Sequence, residues 1–272
     1  MFKKNSSCFV IAEAGLNHGG NFDTALKMIE SAKQSGASAV KFQLFNSKDR
    51  FPGDDKTISL VSKCELSIDA FYKLKEFSDE IDIEFFATPF DIPSIDTLHQ
   101  MGVNYLKIAS CDISNIELLK AANSSGIKTI VSTGTASADE VKLAFSIFDR
   151  PHNVALLHCV SSYPLDPRYA NLRAITNLKS LFPNTAIGYS DHSLGLQLAL
   201  YARVLGAQII EKHFTLDRSQ KGIDYELSIE PHELKTLCAE LISIDESLGD
   251  GAIICSEVEM PEREYRKLHR EK

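Results

Sequence analysis
The chain has 272 residues, with 29 Lys+Arg against 37 Asp+Glu and a formal net charge of −8. That acidic balance argues against general nucleic-acid binding, and 44% hydrophobic with 24% charged residues is a globular composition, not a disordered one. No apolar run approaches the roughly 18 residues of a membrane span, and the apolar stretch of MFKKNSSCFVIAEAG stops at Glu13, too soon for a signal peptide. Cys8, Cys64, Cys111, Cys159, Cys238 and Cys255 form no CxxC pair. They read as reduced thiols of a cytoplasmic protein.

Along the chain, short β-branched or apolar runs alternate with longer amphipathic stretches. CFVIAEAG (8–15) precedes the helical pattern FDTALKMIESAKQSG (22–36), with Gly36 at its end. SAVKFQLF (38–45) follows, then a long loop holding Pro52 and Gly53, then a helical stretch over 68–81. IEFFATPF (83–90), YLKIAS (105–110), KTIVSTG (128–134), NVALLHCV (153–160), AIGYSDH (186–192) and QIIEKHF (208–214) complete eight strands, each followed by a helical pattern, the last over 233–249. This alternation predicts a parallel sheet. Eight such units at this length predict an α/β fold of the (β/α)8 TIM-barrel type over 1–255, with a charged tail over 256–272.

Strands have period two, so each divides its residues between two faces. Glu13, Lys41, Thr88, Lys107, Ser132, His158, Ser190 and His213 each stand late in a strand, on a parity that predicts an inward direction. The other, apolar parity is expected to face the helices. The C-terminal rim of such a barrel carries the active site, so residues far apart in sequence are expected to converge there. A lone strand histidine is usually a satisfied core residue, and a lone lysine a surface charge. Glu13, Lys41, Lys107, Glu211 and His213 together in one enclosed mouth, however, are costly without partners or a ligand.

Two lysines with Ser110, Ser132 and Ser190 suit an anion such as a phosphate or carboxylate. His192 and His213, at the ends of adjacent strands, are a candidate pair of ligands for one divalent metal, with Asp191, Glu211 and Asp224 as further ligands or supporting groups.

Taken together, IAEAGLNHGG (11–20), GASAVKFQ (36–43), FFATPF (85–90), YLKIAS (105–110), IVSTG (130–134), LLHCVSSYP (156–164), NLRAI (171–175), GYSDHSLG (188–195), GAQIIEKHFTLD (206–217) and LGDG (248–251) resemble the catalytic barrel of the sialic acid synthases, in family order. That family includes relatives making legionaminic and pseudaminic acids. The resemblance implies a metal-dependent condensation of phosphoenolpyruvate with an open-chain amino sugar such as N-acetylmannosamine, giving a nine-carbon 2-keto-3-deoxy acid and phosphate. By motif position it places phosphoenolpyruvate on Lys41, Lys107, Ser110, Ser132 and Ser190, with Ser161 nearby and Thr88 among the substrate contacts. It places manganese or magnesium on His192 and His213, with Glu211 beside the metal. Glu13, Phe90, Tyr163 and Asp224 are assigned to the sugar, Glu13 or Glu211 to proton handling, and a homodimer to the assembly.

The sequence departs from that family in three places. It stops at the approach to the C-terminal antifreeze-like domain, which in relatives lends an arginine to the partner's sugar site, so an open or differently completed sugar pocket is expected. Ser161 stands where many relatives have Asn, and KGIDYELS (221–228) replaces a PGPDH-type segment while keeping Asp224. Two other readings stay open: a Schiff-base aldolase using Lys41 or Lys107, and a non-catalytic barrel that binds a sugar or a partner protein.

Overall fold
The computed structural model describes residues 7–263 and 265–266. Eight parallel strands close into a barrel in the order β1 to β8: Phe9–Gly15, Ala39–Leu44, Glu84–Pro89, Tyr105–Ile108, Lys128–Ser132, Val154–His158, Ala186–Asp191 and Ile209–His213. The α-helices, in chain order, are α1 (Phe22–Gln34), α2 (Ser47–Arg50), α3 (Asp55–Val61), α4 (Ile68–Glu80), α5 (Ile92–Met101), α6 (Ile116–Ser125), α7 (Ala138–Ser146), α8 (Arg173–Leu181), α9 (Gln197–Val204), α10 (Pro231–Leu248) and α11 (Met260–Arg263). The fold is the predicted (β/α)8 barrel. None of the described helices is long and apolar enough to cross a membrane.

Local chemistry starts these helices where the sequence signals them. Asn21, Ser67, Asp91 and Asn115 each accept a first-turn N–H through the side chain, and Ser137 with Glu140 forms a capping box. On the outer face of the sheet, Phe42 of β2 and Phe85 of β3 pack on each other and on Phe71 of α4, with ring centroids 5.5–6.3 Å apart. Burying such a ring is worth about 2–3 kcal/mol. Inside, Phe9 and Phe86 meet Tyr105 near the strands' N-terminal ends, which fills the floor and leaves the far rim for polar groups.

Register decides which residues meet. Glu13 of β1 lies beside Lys41 of β2 and beside His213 of β8, while Ser190 of β7 lies beside Glu211. Every one of these neighbours points into the barrel, because paired residues of adjacent parallel strands share a face.

Three expectations are corrected. The stretch after β2 is not an open loop. Asn46 and Asp54 cap α2 and α3, and a 3-10 turn over Ser62–Cys64 follows, so the segment is folded. In β6 the assigned parity is reversed. His158 pairs with outward Tyr189, and Leu157 pairs with inward Ser132 and Gly188. His158 therefore stacks on Tyr189 and bonds the Ala170 carbonyl at 2.8 Å, outside the site. Finally, the outer parity is not wholly apolar: Asp191 and Lys212 form a buried pair there at 2.9 Å, with Asp191 also accepting from the Ser193 N–H and hydroxyl. Asp191 is thus a structural partner of Lys212, not a metal ligand. Within the predicted tail, Ser256 is half-buried, Glu257–Glu259 and α11 are exposed, and 264 and 267–272 fall outside the described residues.

Candidate active site
A cavity of about 560 Å³ opens at the C-terminal rim of the barrel. Fourteen of the sixteen residues that the sequence marks for the site line it, all but His158 and Asp191: Glu13, Lys41, Thr88, Phe90, Lys107, Ser110, Ser132, Ser161, Tyr163, Ser190, His192, Glu211, His213 and Asp224.

At its base lies a ladder of buried charges. Lys41 Nζ is 2.8 Å from Glu13 Oε2 and 3.5 Å from Glu211 Oε2, and it donates to Thr88 Oγ1 at 3.1 Å. Lys107 Nζ is 3.3 Å from Glu211 Oε1, which also accepts from Ser190 Oγ at 2.8 Å. Burial opposes the charge on Lys41, yet the Glu13 and Glu211 carboxylates outweigh it and hold its pKa above the ordinary lysine value. Burial likewise works against the Glu211 anion, but Lys107, Lys41 and the Ser190 hydroxyl hold its pKa down to about 2. Lys41 is therefore a fixed cation and Glu211 a fixed anion at neutral pH.

Beside Lys107 the wall consists of hydroxyls. Gly134, just beyond β5, has no side chain, and a Cβ there would lie 2.6 Å from Ser161 Oγ, 2.7 Å from Ser110 Oγ and 2.9 Å from Cys159 Sγ. Glycine thus lets three donors from the ends of β4 and β6 crowd one corner. Ser110 is 3.0 Å from Cys159, while the buried Ser132 hydroxyl has no hydrogen-bond partner among the described residues. An unpaired buried hydroxyl costs free energy unless a ligand satisfies it. Cys159, inward on the corrected β6 parity, is one of six free thiols.

Across the cavity the two imidazoles face each other with ring centroids 5.6 Å apart. His192 Nδ1 bonds the Val160 carbonyl at 2.8 Å, which fixes its proton there and leaves Nε2 with a lone pair. Burial first, and then His213, push the His192 pKa down to about 3, so its ring is neutral, the form that binds metals. His213 Nδ1 is buried without a hydrogen bond among the described residues, 3.8 Å from Asp224 Oδ2. Tyr163 lies over His192 with centroids 4.2 Å apart. Gly15, at φ +52°, makes the approach of Asp224 feasible, since a Cβ there would stand 3.2 Å from Asp224 Oδ2 and 3.5 Å from His213 Nδ1. The pair therefore fits a divalent cation through two nitrogens, with other positions left to water or substrate. Among the described residues, a tighter three-ligand group occurs at Glu230, His232 and Glu233, but Glu230 and Glu233 form the capping box of α10 and Glu233 also pairs with Arg218.

Residues beyond those predicted complete the cavity. Gln43 donates to Glu13 Oε1 at 3.2 Å and accepts from Arg50 at 3.2 Å, and Arg50 sits over the Phe90 ring, 3.3 Å from its centroid. Phe51, Leu60 and Val61 from the α2–α3 segment and Ile223 form an apolar wall. Gln43 shares its parity with Lys41, so it was legible. Arg50 belongs to a segment read as a loop and carried no signal.

The crystal structure of an N-acetylneuraminic acid (sialic acid) synthetase from Leptospira borgpetersenii, in complex with citrate, is 50% identical over 96% of this chain and 92% of its own, with a TM-score of 0.93. An N,N'-diacetyllegionaminic acid synthase from Campylobacter jejuni is 39% identical over 89% of this chain and 78% of its own length, and an N-acetylneuraminate-9-phosphate synthase from Drosophila melanogaster is 38% identical over 85% and 66%. A truncated 3-deoxy-D-arabino-heptulosonate 7-phosphate synthase from Thermotoga maritima, at 15% identity and a TM-score of 0.70, shares the fold. The NeuB family model matches residues 28–253. With relatives that are named synthases and a polar cavity at the rim where barrel enzymes work, this chain is an enzyme of the transferase kind and belongs to the NeuB family.

Proposed function
We propose that this enzyme condenses phosphoenolpyruvate with an open-chain N-acylated amino sugar, giving a 2-keto-3-deoxy nonulosonic acid and phosphate. The observation that carries this reading is one cavity in which two buried lysine side chains and a hydroxyl unsatisfied among the described residues stand opposite a pair of imidazoles. Lys107 and Lys41, with Ser110, Ser132, Ser161 and Ser190, hold the carboxylate and phosphate of phosphoenolpyruvate. These donors are set in place beforehand, so little reorganisation opposes the reaction.

In the reaction, C3 of phosphoenolpyruvate bonds to the aldehyde carbon and the aldehyde oxygen takes up a proton. Water adds at C2 and loses a proton. The C2–O bond to phosphate then breaks as the C2 hydroxyl gives up its remaining proton to the departing phosphate, leaving the 2-keto group. Glu211, held ionised, positions both lysines, and proton transfer falls to Glu13 on the acceptor side. His192 and His213 would hold manganese or magnesium, which supplies Lewis acidity towards the acceptor's carbonyl oxygen. Lys41 keeps its proton, so it lacks the free amine a Schiff base needs. The barrel is the catalytic unit, and a homodimer is the assembly, testable by sedimentation.

The decisive experiment is mass spectrometry of products after incubation with phosphoenolpyruvate, manganese and a panel of N-acylated hexosamines. A nine-carbon keto acid with equimolar phosphate is expected. No new acid and no phosphate release with any acceptor would overturn the reading in favour of a binding barrel. A borohydride-trapped lysine adduct, with activity that survives chelator, would replace it with an aldolase. His213→Ala is expected to abolish metal-dependent turnover while costing about 1 kcal/mol of stability. Unchanged turnover would remove His213 from the metal role.

A further inference from the structure
Arg50 is the cavity's least explained group. Its guanidinium lies between Phe90, at 3.3 Å from the ring centroid, and Phe51 and Phe45, at 5.0 and 5.3 Å. Its hydrogen bond to Gln43 is its only one among the described residues, and no carboxylate lies within ion-pair distance there. A guanidinium carries five N–H donors in a rigid plane, so donors remain for whatever enters the cavity. Burial pulls its pKa below the ordinary arginine value, as expected for a cation that water solvates poorly.

Two surroundings narrow the ligand. Leu60 and Ile223, apolar yet 57% and 43% exposed, line the same cavity and offer aliphatic contact. Glu13, one residue away through Gln43, and Asp224, whose charge acts on Arg50, disfavour a second anion. The group that satisfies both is neutral, with one carbonyl oxygen and a small alkyl tail. We infer that Arg50 is a specificity-determining residue that reads the N-acyl group of the acceptor, its N–H donors taking the acyl oxygen while the acyl methyl rests on the aliphatic wall. The hydrogen-bond series Lys41–Glu13–Gln43–Arg50 then runs from the reacting end to the acyl end of one acceptor. This inference rests on the acceptor proposed above.

The test is calorimetric titration of N-acetylmannosamine and of mannose into the wild-type chain and into Arg50→Met, alongside kcat/KM for both sugars. Arg50→Met is expected to weaken N-acetylmannosamine at least tenfold and mannose less than twofold, with Arg50→Lys recovering only part of the loss, because a point charge does not reproduce a planar fork. Equal losses for the two sugars, or a wild-type chain that binds N-acetylmannosamine no better than mannose, would overturn the assignment even if condensation occurs. A binding preference for N-acetylmannosamine that Arg50→Met removes, without any condensation, would instead overturn the proposed reaction and leave the Arg50 contact standing.

Discussion
Two buried charge clusters sit on opposite faces of the same sheet, and they are satisfied very differently. On the outer face, Lys212 and Asp191 are both fully buried and paired, the Ser193 N–H and hydroxyl donate to Asp191, and the Ser193 carbonyl accepts from Lys212. On the inner face, Lys41, Lys107, Glu13 and Glu211 share their charges, yet Ser132 Oγ and His213 Nδ1 beside them have no hydrogen bond among the described residues. A closed set of polar contacts stabilises a fold, whereas an open set facing a cavity prepares for a ligand. Residue type alone does not separate them, since both pair a strand lysine with a strand carboxylate.

Cutting each cluster sharpens the contrast. Lys212→Met leaves Asp191 buried without its cation and is expected to cost about 3–5 kcal/mol in urea unfolding, with kcat/KM of the folded enzyme within about threefold of wild type. A variant as stable as wild type would mean that Asp191 finds another partner. Lys107→Ala, by contrast, is expected to lower kcat/KM for phosphoenolpyruvate by about 10²–10³. Its stability should fall by less than that of Lys212→Met, because Glu211 keeps Lys41 and Ser190. A normal response to phosphoenolpyruvate would reject Lys107 as an anion contact.

The smallest effect concerns His18, which accepts a hydrogen bond from the Gly20 N–H and lies against Phe42. Burial pushes its pKa down to about 4 from the ordinary 6.5. Between those values the unfolded chain takes up a proton that the folded chain refuses, so stability falls as pH drops from 6.5 towards 4. The slope from this residue is at most about 1.4 kcal/mol per pH unit. His18→Phe is expected to flatten the pH dependence of the urea midpoint in that window. An unaltered slope would assign the acid sensitivity to His158 and His192, whose pKa values are also lowered.

Most of this architecture was legible because period-two patterns and late-strand polar residues leave a trace in a single sequence. The eight strands and the convergence of Glu13, Lys41, Lys107 and His213 followed from that trace. The β6 parity failed because a histidine reads as more functional than the neighbouring Cys159, although Leu157 and Cys159 are the inward residues. Asp191 misled for the same reason, since only register shows that its partner is Lys212 and not the imidazoles. Arg50 was invisible because its importance comes from three phenyl rings brought together by the α2–α3 segment, and no local spacing encodes that meeting.

The pairing of β1 with β8 has a consequence for synthesis. Asn17 bonds the Phe214 carbonyl across a sequence separation of 197, and Glu13 stands beside His213. A ribosome must therefore release nearly the whole barrel before the first strand meets its second neighbour, and until then the β8-side edge of β1 has no partner. Nascent chains of this protein have a long window in which an exposed edge can recruit another molecule, so a chaperone that shields the N-terminal strand would raise the yield of working enzyme.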